Sequence, residues 1–464
     1  MRLPGREGFL TCWRLHKHGA AFLSLIVRNA KIFFGGELVE GNILVENGVV
    51  KAIGRREFEG DYVLDAEHQP VLPGGIDVHA HVYDSEYADN EDWKTGSLAA
   101  AYGGLTTLID MPLRVYVDGV EVLEAKLKEA AENSYVNYGV TGGFLNKKNI
   151  KSIAELRKRG VKTFKIFTCR PFQAEEEALG SILEEIAKTD SVAIVHAEDE
   201  GLIRYWEGLY KARNDVVSYH MSRTDSAEAA AILRIGMYAR DTGARIHVAH
   251  LSSKLGLESV LFLKEKGVKV TSEVCPHHLY FTREDSARYG NYLKLAPTLK
   301  TREDVEALWR GLAEGLIEVY ASDNAPAPRR LKEVDAWSAW GGIPNLEIMG
   351  PFLYTYGVLK GRISIKRFVE VFSENPAKLL GIYPLMGSIS IGSRADLYIL
   401  ETRRAKKISA STHHHKVDWT PWEGIELYGA PLHLVVSGHV IIENGELVGR
   451  PGLGVYIGNY VKAL

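Results

Sequence analysis

The sequence predicts an α/β protein, a parallel (β/α) barrel with a small β domain built from both ends of the chain. Three observations carry this. Residues 73 to 380 alternate short apolar runs with helical segments. The stretches on either side read as strands joined by tight turns. Ligand-type polar residues recur where the apolar runs end, and a parallel barrel places its active site at those strand ends. A doubly wound open sheet is the alternative for the same alternation.

At the N-terminal end, Leu25–Phe34, Gly41–Val45, Val49–Ile53 and Tyr62–Asp65 are strand-like. Glu46-Asn47-Gly48 joins the second to the third, and Asn-Gly between apolar runs is a strong hairpin signal. At the other end, Ala395–Leu400 and Leu432–Ile442 are strand-like, and Glu443-Asn444-Gly445 repeats the turn. The expected domains are therefore 25–72 plus 381–464 for the β part and 73–380 for the barrel. Residues 1–24 lack regular patterning and read as a disordered extension or an upstream start. Their charges at Arg14 and Lys17 argue against a secretory signal.

In the middle region the apolar runs are Thr106–Met111, Tyr138–Phe144, Thr163–Thr168, Val192–His196, Arg245–Leu251, Lys269–Val274 and Ile317–Ser322. Helical stretches such as Val120–Asn133, Ile153–Arg159 and Ser226–Thr242 lie between them. The charged stretch Glu175–Glu185 reads as a helix with a solvated face.

Bulk properties narrow the function classes. The chain has 464 residues, is 46% hydrophobic and 25% charged, and carries a net charge of -3. That balance gives no reason to expect a nucleic-acid or membrane partner. No run of about 18 apolar residues suggests a membrane span. Three cysteines, Cys12, Cys169 and Cys275, are too few for a disulfide framework and fit a cytoplasmic protein.

The chemistry begins at His79-Ala80-His81, which closes the run from Val71. Side chains alternate along a strand, so both imidazoles share one side, and imidazole is the commonest metal ligand. A surface turn with two histidines would read the same in isolation. His196 and His250 close later runs, and Asp323 follows another. Lys165 lies inside the apolar run Phe164-Lys165-Ile166-Phe167. A lone buried ammonium is costly, so this lysine is expected to be paired with a carboxylate, neutral, or modified. Carboxylation by CO2 would turn it into an anionic carbamate able to bridge two metals.

These motifs together resemble the cyclic amidohydrolases of the amidohydrolase superfamily, the hydantoinase, allantoinase and dihydroorotase group. The matching residues run in order from Gly75-Ile76-Asp77-Val78-His79-Ala80-His81 and Asp110-Met111-Pro112 through Phe164-Lys165-Ile166-Phe167 and Val195-His196-Ala197-Glu198. They continue with His250-Leu251-Ser252-Ser253, Glu273-Val274-Cys275-Pro276-His277-His278, Ser322-Asp323, Asn375-Pro376-Ala377 and Gly392-Ser393-Arg394-Ala395-Asp396. The resemblance implies a (β/α)8 TIM-like barrel with a β-sandwich domain and a metal-dependent hydrolase of a cyclic amide bond. It also implies two divalent metal ions, usually zinc. By motif match, His79, His81 and Asp323 hold one ion and His196 and His250 the other, with carboxylated Lys165 as the bridge. Asp323 would also move the proton from water to the leaving nitrogen.

Departures from the family pattern narrow the ring. Dihydroorotases carry an arginine shortly after His-x-His, where this chain has Tyr83, and asparagine after Met-Pro, where it has Leu113. An arginine fork suits a substrate carboxylate and a tyrosine does not. Ala339-Trp340-Gly341-Gly342-Ile343 resembles allantoinase, although Asn324 replaces the usual histidine after the aspartate. A ureide or imide ring is expected, allantoin and hydantoins first. Dihydroorotase is the runner-up, and a non-catalytic scaffold is the rival from another class. A homo-oligomer, dimer or tetramer, is expected. His413-His414-His415 is read as a solvated loop, His247 as a packing or supporting residue, and His277 and His278 as non-ligands. Cys169 is read equally as a substrate contact or a small core residue.

Overall fold

The structure is a computed structural model that describes residues 24–82, 87–113 and 115–461. The expected N-terminal extension lies outside the described residues, apart from Ser24, which opens the first strand.

Strands β1 (Ser24–Phe34), β2 (Glu37–Glu46), β3 (Val49–Gly54), β4 (Tyr62–Asp65) and β5 (Pro70–Pro73) form the N-terminal half of a nine-stranded sheet. β2 and β3 pair antiparallel across Asn47 and Gly48, whose φ values are 51° and 72°. Two successive positive φ angles are what a two-residue hairpin requires, and Asn-Gly meets that demand at least strain.

Eight parallel strands follow: β6 (Gly75–Ala80), β7 (Leu105–Asp110), β8 (Asn137–Val140), β9 (Thr163–Phe167), β10 (Val192–His196), β11 (Arg245–Val248), β12 (Val270–Val274) and β13 (Val319–Tyr320). The pairs are all parallel. Bridges Gly142–Phe164 and Ala80–Asn324 join the two groups of strands and close the ring. Closure excludes the open-sheet alternative. Strands covered on both faces read as unbroken apolar runs, as Val192-Ala193-Ile194-Val195 does. The intervening helices carry their own punctuation. Asp225–Thr242 starts at Thr224, whose hydroxyl accepts from the Ala227 N–H, and stops at Gly243 with φ 71°.

β14 (Leu397–Glu401), β15 (Lys406–Lys407), β16 (Glu426–Leu427), β17 (Ala430–Val436), β18 (His439–Glu443) and β19 (Glu446–Leu447) complete the chain. β14 pairs with β5 and β17, so the terminal sheet runs β19-β18-β17-β14-β5-β1-β2-β3, with β4 beside β1. The fold is thus a barrel carrying a β-sandwich domain made from both termini. Asn444 and Gly445 again turn with positive φ, between β18 and β19.

Two expected strands differ. Leu432–Ile442 is two strands, because Ser437 and Gly438, at φ 50° and 86°, make a tight turn in its middle. The run Ile317–Ser322 keeps only two residues in the ladder. Its end turns away at Asp323, a non-glycine residue with φ 46°.

Candidate metal centre

The six residues singled out in the sequence converge at the C-terminal mouth of the barrel. They line one cavity of about 390 Å3 that also meets Phe167, Phe172, Arg223, Trp337 and Trp340. All six are buried.

His79 and His81 lie two residues apart at the end of β6, and their ring centroids are 5.4 Å apart. His79 Nδ1 donates to Glu273 Oε1 at 2.5 Å, and His81 Nδ1 donates to the Met111 carbonyl at 2.5 Å. Both acceptors lack a proton, so each Nε2 is left with its lone pair. These Nε2 atoms lie 3.4 and 3.6 Å from Asp323 Oδ1. The ligand atoms of His79, His81 and Asp323 all fall within 4.8 Å of one another.

In the second pair one ring, His196, is tethered in the same way. His196 Nε2 donates to Glu198 Oε2 at 2.7 Å, which turns its Nδ1 toward His250 Nε2, 3.1 Å away. The Glu198 carboxylate is held in turn by Arg223, which donates from Nε at 3.0 Å and from Nη2 at 2.6 Å. His250 follows β11 with φ 37°. The left-handed turn at His250 and the one at Asp323 are backbone strain stored at the site.

The electrostatics suit cations. Burial lowers the pKa values of His79, His196 and His250, and Lys165 adds to the shift, as the neighbouring rings do at His250. Their neutral imidazoles are the form that binds metal. Burial alone would raise Asp323, but His79 and His81 hold it at about 2, so it stays ionised. Lys165 is lowered to about 8 by burial, against the opposing pull of Glu273 and Asp323. Its Nζ forms no ion pair among the described residues and lies 5.0 Å from the Phe167 ring centre. Neutral, tethered imidazoles facing an ionised carboxylate fit divalent cations.

Several residues of the sequence motifs and their neighbours support this cluster from behind. Glu273 is the penultimate residue of β12, fully buried. Its Oε1 accepts from His79 and from the His250 N–H at 3.1 Å, and its Oε2 accepts from His247 Nε2 at 3.0 Å. His247 is therefore a supporting residue, as expected. His277 is buried beside Asn345. Asn345 Oδ1 accepts from Trp422 Nε1, and its Nδ2 donates to the Ser322 carbonyl and to His277 Nδ1 at 3.0 Å. The His277 Nε2 then carries the proton. Cys169 lines the cavity, with Arg223 Nη2 3.5 Å from its sulfur. Tyr83 lies outside the described residues.

The expected solvated loop at 413–415 is a correction. His414 stacks on Tyr102 with centroids 3.9 Å apart and contacts the buried Glu347 through Nδ1 at 3.0 Å. His415 Nδ1 donates to Glu91 at 2.7 Å. Two buried carboxylates on barrel loops anchor this segment, and nothing in a polar tripeptide announces partners so distant in sequence.

A closed (β/α) barrel whose mouth gathers tethered histidines and an ionised aspartate defines the class of metal-dependent barrel hydrolases. The chain belongs to the amidohydrolase family, whose model matches residues 71–441. It is 33% identical to an L-hydantoinase of Paenarthrobacter aurescens over 447 residues, covering 93% of this chain and 97% of that protein. It is 34% identical to a dihydroorotase of Methanosarcina acetivorans, covering 93% and 94%. The solved structure of an L-hydantoinase (dihydropyrimidinase) from Arthrobacter aurescens superposes with a TM-score of 0.90 at 33% identity, over 93% of this chain and 99% of that one. No helix among the described residues is long and apolar enough to cross a membrane.

Proposed function

We propose that this protein is a metal-dependent cyclic amidohydrolase that opens a ureide or imide ring, with allantoin and hydantoins as the first candidate substrates. One observation carries the reading. His79, His81 and His196 each have one ring nitrogen tethered to a fixed acceptor and the other turned toward the cavity shared with His250, Asp323 and Lys165. Tethering the outer nitrogen fixes tautomer and ring orientation, which is how metal-binding histidines are prepared. The hydantoinase relatives support the substrate class.

His79, His81 and Asp323 would hold one ion and His196 and His250 the other. Lys165 Nζ, with its lowered pKa, is available as the neutral amine that adds to CO2 and releases one proton, giving a carbamate that would bridge them. Bound divalent ions would acidify water to a pKa of about 7 and polarise the scissile carbonyl. Asp323, ionised and at the cavity wall, takes the proton from the attacking water and delivers it to the leaving ring nitrogen.

The test is a panel of allantoin, hydantoin, dihydrouracil and dihydroorotate with zinc-loaded protein, together with metal analysis. Turnover of allantoin or a hydantoin is expected. Turnover of dihydroorotate alone would replace this reading with dihydroorotase. No turnover, with less than about one metal per chain, would favour the scaffold.

A further inference from the structure

One wall of the cavity is the segment 337–342, and every residue in it lines the site. Two buried lysines grip this wall by its backbone. Lys294 Nζ donates to the Trp337 carbonyl at 2.7 Å and the Ala339 carbonyl at 2.6 Å. Lys332 Nζ donates to the Trp340 carbonyl at 2.8 Å and the Gly342 carbonyl at 2.9 Å. Four of the six wall carbonyls thus accept from a lysine Nζ. Lys294 is 4% exposed and Lys332 is 0% exposed. Neither forms an ion pair among the described residues. Their remaining solvation comes from aromatic faces: Lys294 Nζ lies 4.5 Å from the Tyr219 ring centre and Lys332 Nζ 5.2 Å from that of Trp419.

Burying two amino groups without carboxylates beside them is expensive. The expense is understandable if the wall must keep one shape. Other bonds act in the same direction. The Gly342 N–H donates to the Lys294 carbonyl and the Trp340 N–H to the Leu331 carbonyl, both within 2.9 Å. The indole of Trp337 donates to the Arg213 carbonyl and that of Trp340 to the Ala325 carbonyl. The wall also bridges through Ile343 to Asn324, the residue after Asp323. Its position relative to the proposed proton carrier is therefore set before any substrate arrives.

We infer that Lys294 and Lys332 are positioning residues that hold the 337–342 segment as a preformed wall, so that it selects substrates by the size of the ring substituent rather than closing over them as a lid. This rests on the reading of the cavity as the substrate site. A rigid wall contributes binding that is the same in ground and transition states, so its loss appears in KM rather than kcat.

The experiment has two arms. In the first, amide hydrogen exchange is followed in the wild-type protein without ligand and with 5-benzylhydantoin. Slow exchange at Trp340 and Gly342, unchanged by the ligand, is expected. Exchange at the rate of unstructured chain, slowed only by the ligand, would overturn the inference in favour of a lid. In the second arm, Lys332→Met and Lys294→Met are compared with wild type. Each loses two hydrogen bonds to wall carbonyls, so exchange at the wall should rise by about tenfold or more. KM for 5-benzylhydantoin should rise by about tenfold while kcat changes less than about twofold. Unchanged exchange and KM in both variants would overturn it. The exchange arm needs no turnover, so failure of the proposed activity leaves it intact, and it needs no variant that must fold.

Discussion

Replacing Glu273 by glutamine removes a charge from a buried carboxylate that three donors share. Its Oε1 serves His79 Nδ1 and the His250 N–H, and its Oε2 serves His247 Nε2. An amide has one oxygen. If that oxygen takes the Oε1 place, His79 and His250 keep an acceptor, but His247 faces an N–H and must change tautomer. Thr271 Oγ1, 2.7 Å from His247 Nδ1, can accept in that tautomer, so the variant folds. What is lost is the negative charge behind His79, which strengthens its Nε2 as a donor to a cation. Removing such a partner typically weakens metal affinity by about 10- to 100-fold, or about 1.4 to 2.7 kcal/mol. Glu273→Gln keeps the geometry and belongs near the tenfold end. Glu273→Ala loses charge and tether together and belongs near the hundredfold end. Zinc affinity measured by competition with a chromophoric chelator, with melting curves of the metal-free proteins, reads both. Folded variants that bind zinc as tightly as wild type would refute the role assigned to Glu273.

Two further outcomes are expected. Lys165→Ala should lose activity and the ability to hold two ions, and a short added carboxylic acid should restore part of both; full activity in the untreated variant would rule out the carbamate. Glu347 anchors His414 and Lys406. Burial alone would raise its pKa, yet those partners hold it at about 2 against an ordinary 4.5. A depressed carboxyl stabilises the fold above pH 4.5, and the contribution disappears as pH falls toward 2. A shift of that size is worth about 3 kcal/mol. Urea midpoints of wild type and Glu347→Gln should differ at pH 6, and the gap should shrink to less than half by pH 3, whereas a constant gap would contradict the assignment.

The barrel and its mouth were legible because their signals are local. Val192–His196 and Val120–Asn133 declare themselves by apolar run and by period, and the structure gives them those same bounds. The histidines and the aspartate proposed as ligands stand where strands stop, so one motif at a time marks their places. What escaped depends on pairing across the fold. Glu273 lies far in sequence from His79, and a glutamate in an apolar strand does not name its partner. Arg223 and Glu198 meet only after a helix has folded back. His414 and His415 read as solvent-facing because the carboxylates that receive them, Glu347 and Glu91, belong to other loops. The split of Leu432–Ile442 was missed because Ser437-Gly438 is a weaker turn signal than Asn-Gly, although its φ angles are of the same kind.

The terminal sheet has a consequence for synthesis. β5 pairs with β14 through Val71 and Ile399, so one edge of the first five strands stays open until most of the chain has left the ribosome. Throughout that interval the barrel can assemble while an unpaired strand edge waits beside it. Such edges recruit other strands. Slowing the emergence of β14 should therefore raise aggregation of nascent chains, while the same delay placed after β19 should be harmless.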